Sequence, residues 1–83
     1  MVQLFTKDSA DFEKRMALKG LDGKKLASNV NVTRQYISLI KNGRRPVGNV
    51  TASKIANELD AETDEIFFTK FVDKSYTRRN LNG

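Results

Sequence analysis

The stretch LDGKKLASNVNVTRQYISLIKNG, from Leu21 to Gly43, reads as two short helices joined by a turn, and it constrains everything around it. Asp22 is a good N-cap residue, because its carboxylate can accept from the orphan N–H groups of a first turn. The first helix is therefore predicted over about 23–30, with Leu26, Ala27 and Val30 turned inward. Asn31 tolerates positive φ and can stand in for glycine in a tight turn. Val32 then turns inward, Thr33 caps the next helix, and Gly43 closes that helix after about Lys41. Residues of a helix advance by about 100°, so Ile37 and Ile40 share one side, with Thr33 between them and Tyr36 at the margin. Gln35, Ser38, Leu39 and Asn42 point the other way, and Arg34 flanks them near the N-terminus.

The outward set has the chemistry of base recognition. Glutamine can bond adenine N6 and N7 as a pair, and arginine can do the same to guanine O6 and N7. Serine can bond several base edges, and an apolar side chain such as Leu39 can rest on a thymine methyl group. Arg34, Gln35, Ser38 and Leu39 are thus the candidate base readers. Candidates for phosphate are Thr33 beside a helix N-terminus, Lys24 and Lys25 in the first turn of the preceding helix, and Lys41, Asn42, Arg44 and Arg45 where the second helix exits. Lysines in a first turn oppose the helix dipole, and a nearby phosphate would offset that penalty. Tyr36 is divided between reaching phosphate and packing against the neighbouring helix.

Around this pair the chain reads as supporting helices. MVQLFT alternates apolar and polar residues, as a short strand or a frayed end would. A helix capped by Asp8 or Ser9 carries Phe12, Met16 and Leu18 as an apolar stripe, leaves Ala17 for close approach, and ends at Gly20. Pro46 forces a turn from Asn42 to Val47. A fourth helix over about 49–59 buries Ala52, Ile55, Ala56 and Leu59. Thr63 is expected to cap a short fifth helix with Asp64 and Glu65 in its first turn and Ile66 and Phe67 inward. Phe68, Phe71 and Val72 follow in strand or loop. Phe67, Phe68 and Phe71 are read as core, with one or two of them on a dimer surface as the alternative.

The region LDGKKLASNVNVTRQYISLIKNGRRPVGNVTASKIANELDAETDEIFF resembles the lambda-repressor/Cro-type (Xre) helix-turn-helix family. The resemblance lies in LA at Leu26–Ala27, VTRQYIS at Val32–Ser38, I-x-N-G at Ile40–Gly43, KIA at Lys54–Ala56 and the closing DEIF, and it covers about residues 9–68. It implies an all-α fold of five helices; the residue pattern adds short strand or extended segments at the termini of a domain over residues 1–73, followed by a basic tail, 74–83. It also implies a third helix lying in the DNA major groove, usually as a dimer on a two-fold operator. By position, Arg34, Gln35, Ser38 and Leu39 fall on the family's base-reading positions, and Thr33, Asn42 and Arg44 where the backbone is gripped. Family members often have a glutamine near the start of the second helix; Gly23 stands there in this chain.

Charge agrees with a polyanion partner. The net charge is +5, and it is uneven: residues 19–46 sum to +6, 47–73 to −4, and 74–83 to +3. Arg78 and Arg79 in the tail are read as a solvated segment, with a phosphate-seeking arm as the sharper alternative. The acidic residues Glu58, Asp60, Glu62, Asp64 and Glu65 are read as serving capping and solubility, not metal binding. The absence of cysteine and histidine removes thiolate metal sites and the common nucleophile–base pairs, so neither an enzyme nor a cofactor is expected. No stretch approaches the roughly 20 apolar residues of a membrane span, and a cytoplasmic protein is expected. The sequence thus points to a DNA-reading regulator, and within that class to a small repressor of a phage or mobile element, with room for a regulatory protein partner. The alternative is an antitoxin or adaptor that uses the same fold for protein contact.

Overall fold

The computed structural model describes residues 2–71, so Val72 and the basic segment 74–83 lie outside the described residues. The elements in order are β1 (Val2–Thr6), α1 (Ser9–Leu18), α2 (Gly23–Val30), α3 (Arg34–Lys41), α4 (Asn49–Glu58), α5 (Thr63–Ile66) and β2 (Phe67–Phe71). The five helices lie where the sequence puts them. The all-α expectation is corrected by the two strands, which pair antiparallel from Val2↔Phe71 to Thr6↔Phe67. The alternation of MVQLFT was the sign of β1. Its partner was less legible, because Phe67 to Phe71 does not alternate.

Side-chain caps begin the first three helices. The Asp8 carboxylate accepts from the N–H groups of Ala10 and Asp11, Asp22 accepts from Lys25 N–H at 2.7 Å, and the Thr33 hydroxyl accepts from Tyr36 N–H at 3.0 Å. The fifth helix departs from expectation. Thr63 is its first residue, and Glu62 precedes it in extended conformation as the cap. The Glu65 carboxylate reaches back to Glu62 N–H at 2.8 Å, a longer reach than a threonine hydroxyl makes.

The four longer helices all end in the same way. Gly20, Asn31, Gly43 and Asp60 have φ of +67°, +63°, +72° and +57°. In each case the next residue's N–H bonds back across the turn: Leu21 to Met16, Val32 to Ala27, Arg44 to Leu39 and Ala61 to Ala56, at 2.9 Å each. This is the Schellman arrangement, usually accompanied by an apolar contact from the residue that makes the return bond. Leu21, Val32 and Ala61 make that contact, packing half-buried against the core. Arg44 does not; at the end of α3 the position carries an exposed cation.

The core joins Phe12 and Met16 of α1, Leu26, Ala27 and Val30 of α2, Ile37 and Ile40 of α3, Ala52, Ile55 and Ala56 of α4, and Val47, Leu59, Ile66 and Phe67. Phe12 and Phe67 meet edge to face with ring centroids 6.2 Å apart. Leu18 is not part of it: it is 74% exposed. It stands two positions beyond Met16 and so about 200° round the helix. Ala17 is exposed as well. On the outer side of α1, Asp11 and Arg15 form an ion pair at 2.7 Å whose hydrogen bond holds the guanidinium above its ordinary pKa.

The N-terminal segment fastens the C-terminal end of α3. Thr6 is the one buried polar residue among the described residues, and its hydroxyl donates to the Ile40 carbonyl at 2.7 Å. Leu4 bridges to Val47, whose N–H donates to the Leu4 carbonyl at 2.9 Å. From α1, Ser9 donates to the Asn42 side-chain oxygen at 3.1 Å and Glu13 forms an ion pair with Lys41. Replacing Thr6 by valine keeps the shape and removes one of two donors to the Ile40 carbonyl, which also accepts from Gly43 N–H at 3.0 Å, so the cost is that of one hydrogen bond, about 1 kcal/mol. Thr6→Val should therefore lower the thermal midpoint by several degrees while Thr6→Ser largely preserves it, as read by circular dichroism melts of the two variants.

Candidate nucleic-acid interface

The third helix is split lengthwise by burial. Ile37 and Ile40 are 1% and 0% exposed, while Arg34, Gln35 and Ser38 are exposed on the other side. Leu39, expected to face solvent, is half-buried. It lies three residues, or about 60°, from half-buried Tyr36, and so borders the packed side. The base-reading candidates therefore divide into three fully presented polar groups and one apolar group at the edge.

The phosphate candidates surround them unevenly. Lys24, Lys25, Thr33, Asn42, Arg44 and Arg45 are exposed. The Thr33 oxygen is engaged by Tyr36 N–H, leaving its own hydroxyl proton to donate. Asn42 uses its carbonyl oxygen on Ser9, which leaves the amide N–H groups as donors. Lys41 is half-buried and paired with Glu13, so its charge is already balanced inside the protein. Tyr36 has its ring against the core and donates its hydroxyl to the Pro46 carbonyl at 3.4 Å. That geometry follows the packing alternative and ties α3 to the loop that follows it.

Ion pairing sorts the cations further. Of the seven basic residues between 19 and 46, Lys19 pairs with Asp60 at 3.6 Å and Lys41 with Glu13. Lys24, Lys25, Arg34, Arg44 and Arg45 have no carboxylate partner among the described residues. Of these seven, the five unpaired cations thus lie on α2, α3 and the loop after it; Lys7, Lys14, Lys54 and Lys70 elsewhere likewise have no carboxylate partner among the described residues. Several acidic residues have structural roles elsewhere: Glu58 accepts from Asn29 at 2.8 Å, Asp60 meets Lys19, and Glu65 caps α5. A helix with a polar outer face, an apolar inner face and free cations at both ends is built to lie against a polyanionic groove.

The family model described as Helix-turn-helix matches residues 12–66, more than half of the chain. The chain belongs to this helix-turn-helix family. It is a DNA-binding domain of the Xre, lambda-repressor-like type found in transcription regulators. Among solved structures it is similar to the restriction-modification controller protein C.AhdI from Aeromonas hydrophila, at 30% identity over 69% of this chain and 86% of that one, with a TM-score of 0.61. It is also similar in fold to the clp gene regulator ClgR from Corynebacterium glutamicum, at 24% identity over 69% of this chain, with a TM-score of 0.61. The match spans 61% of that ClgR chain, and 73% of the chain in a second ClgR structure. No curated protein matches the sequence. Among the described residues no helix is long and apolar enough to cross a membrane.

Position 23, where the resemblance to the family leads one to expect a glutamine, is occupied by glycine. Gly23 is the first residue of α2, and a Cβ there would meet only the Cγ of Arg34 at 3.9 Å, an ordinary contact. Asp22, Gly23, Lys24 and Arg34 line a small notch of about 170 Å³ where a longer side chain would otherwise stand. The residues that sequence reasoning missed are Thr6, Ser9 and Glu13, which steady the far end of the helix. Thr6 shares its strand face with Leu4, a signal contained in the alternation. Nothing local marks Glu13 as the partner of Lys41, 28 positions away. Because Gly23 is not at positive φ and has room, Gly23→Ala should stabilise the fold by about 0.5 kcal/mol through reduced chain entropy. The expected rise in thermal midpoint is about 2–4 °C, measurable by calorimetry.

Proposed function

We propose that the protein is a small sequence-specific repressor of the Cro-like kind, of phage or mobile-element origin, that acts in the cytoplasm as a homodimer on a palindromic operator. The observation that carries this reading is the exposed set Arg34, Gln35 and Ser38 on a helix held by its buried isoleucines and flanked by unpaired cations. Arg34, Gln35 and Ser38 read base edges in the major groove, and Leu39 rests at the edge of the contact against a thymine methyl group. Lys24, Lys25, Thr33, Asn42, Arg44 and Arg45 hold phosphates, together with the free N–H groups at the start of α3. Lys41 and Tyr36 contribute by fixing the helix and its following loop. The similarity to a restriction-modification controller protein supports a regulatory role. A small domain of this kind responds through its concentration, its dimerisation or a protein partner.

Selection from random duplexes should return a palindrome, which reports sequence preference and two-fold symmetry together. If no sequence is recovered over random DNA, the repressor reading is wrong and contact with another protein takes its place. On the recovered operator, Gln35→Ala should cost about 1–3 kcal/mol and relax preference at one base position per half-site. Lys24→Ala should weaken binding to all sequences alike and flatten the salt dependence by about 0.9 in log–log slope for each phosphate it no longer neutralises. Binding isotherms across a salt series distinguish the two kinds of residue.

A further inference from the structure

We infer that the outer edge of β2 is the docking surface for β2 of a second copy of this chain, forming a four-stranded antiparallel sheet about a two-fold axis at Thr69. The inference gives the proposed homodimer its interface and does not depend on the DNA reading. It starts from the hydrogen-bond phase of the sheet. Lys7 N–H donates to the Ile66 carbonyl at 2.9 Å, in line with the register that pairs Thr6 with Phe67. Hydrogen-bonded pairs alternate along an antiparallel ladder, so Phe5↔Phe68 and Gln3↔Lys70 bond, and Phe67, Thr69 and Phe71 direct their backbone groups away from β1. Among the described residues no strand pairs with that edge; the Phe67 N–H is taken by the Thr63 carbonyl of α5, which leaves the carbonyls of Phe67 and Thr69 and the N–H groups of Thr69 and Phe71 to pair there.

The edge lacks the usual protections against pairing. Five residues of β2 include three phenylalanines, of which Phe68 is 43% and Phe71 67% exposed. Charged side chains commonly guard such an edge. The only charge in β2, Lys70, instead lies back over the ring of Phe5 on its own sheet, 5.5 Å from the centroid.

The sequence FFTKF is complementary to itself when reversed about Thr69. Phe67 then faces the partner's Phe71, Phe68 faces the partner's Lys70, and Thr69 faces its own copy. Aromatic, cation–π and threonine pairs are all favourable across strands, and no like charges meet. The same register solves the exposure of the sheet's free end. Val2 and Phe71 are paired there, 56% and 67% exposed. In the dimer they fall in line with the partner's Phe67, beside a mostly apolar groove of about 460 Å³ that runs between Leu4, Phe67 and Thr69 on the sheet and Thr63 and Asp64 on α5. Phe71 of each copy enters the groove of the other.

The chain has no cysteine, which makes a crosslinking test clean. Residues facing each other in a hydrogen-bonded antiparallel pair have Cα atoms about 5.5 Å apart, within disulfide reach. Thr69→Cys should therefore oxidise to a covalent dimer, while Ser53→Cys, at an exposed position on α4, should not do so under the same conditions. Sedimentation equilibrium without DNA supplies the second arm. Thr69→Pro removes an N–H that β1 does not use, so it should leave helical circular dichroism intact and weaken self-association by about tenfold or more. Phe71→Lys should act in the same direction without touching the backbone. A dimer that survives both substitutions, with no crosslink through position 69, overturns this interface and leaves the homodimer standing on another surface. A wild-type chain that stays monomeric both free and on operator DNA overturns the homodimer as well.

Discussion

The bond from Thr6 to the carbonyl of Ile40 is the constraint on which the presentation of the third helix rests. A helix that offers one side to a ligand has only its remaining surface with which to be held. In α3 that surface is two isoleucines and the half-buried Tyr36, a narrow stripe for eight residues. The ends must supply the rest of the restraint. At the start, the Thr33 cap and the tight turn at Asn31 tie the helix to α2. At the finish, the Thr6 hydroxyl adds a second donor, from another element, to the carbonyl of Ile40 that already accepts from Gly43 N–H, and the Leu4–Val47 bridge seats the loop that follows. The α1 contacts Ser9–Asn42 and Glu13–Lys41 bind the same end from a second element.

Electrostatics follows the same division of labour. Lys19 and Lys41 are matched by Asp60 and Glu13, whereas the cations of α2, the start of α3 and the loop after it have no carboxylate partner among the described residues. The helix-end pattern shows this in a single residue. Three of the four Schellman ends place an apolar side chain on the core, and the fourth places Arg44 in solvent. The turn that closes α3 is therefore built like the others but gives up its packing contact in favour of a charge. Such segregation concentrates the attractive field on one side of a small domain, where a Debye length of about 8 Å still spans much of the binding surface.

Most of the helical framework was legible because its signals are local. Asp22, Asn31, Thr33 and Gly43 act within a turn of where they stand, and each takes the conformation its chemistry prefers. The polar side of α3 could be read for the same reason, since Ile37 and Ile40 fix its phase. Illegible features depend on remote partners or on competition at a boundary. Lys41 and Arg44 look alike in sequence, yet Glu13 on another helix balances only one of them. Leu39 sits at the border of a face, where a shift of a few tens of degrees decides burial. The strand β2 was legible only as strand or loop because its residues pack on both sides, toward Phe12 at one end and toward Phe5 along the other face.

The sheet that joins Val2 to Phe71 also bears on the order in which the molecule assembles. Every helix and every helix end forms from neighbours within a few residues, whereas the sheet requires the two extremes of the described chain to meet. Contacts of long sequence separation carry the larger loop-closure entropy and arrive late in folding. The β1–β2 ribbon is then a latch: once it closes, Thr6 is brought to the Ile40 carbonyl and the exit of α3 is fastened. The exposed face of α3, in the middle of the sequence, is thus steadied by the pairing of the two ends of the described chain.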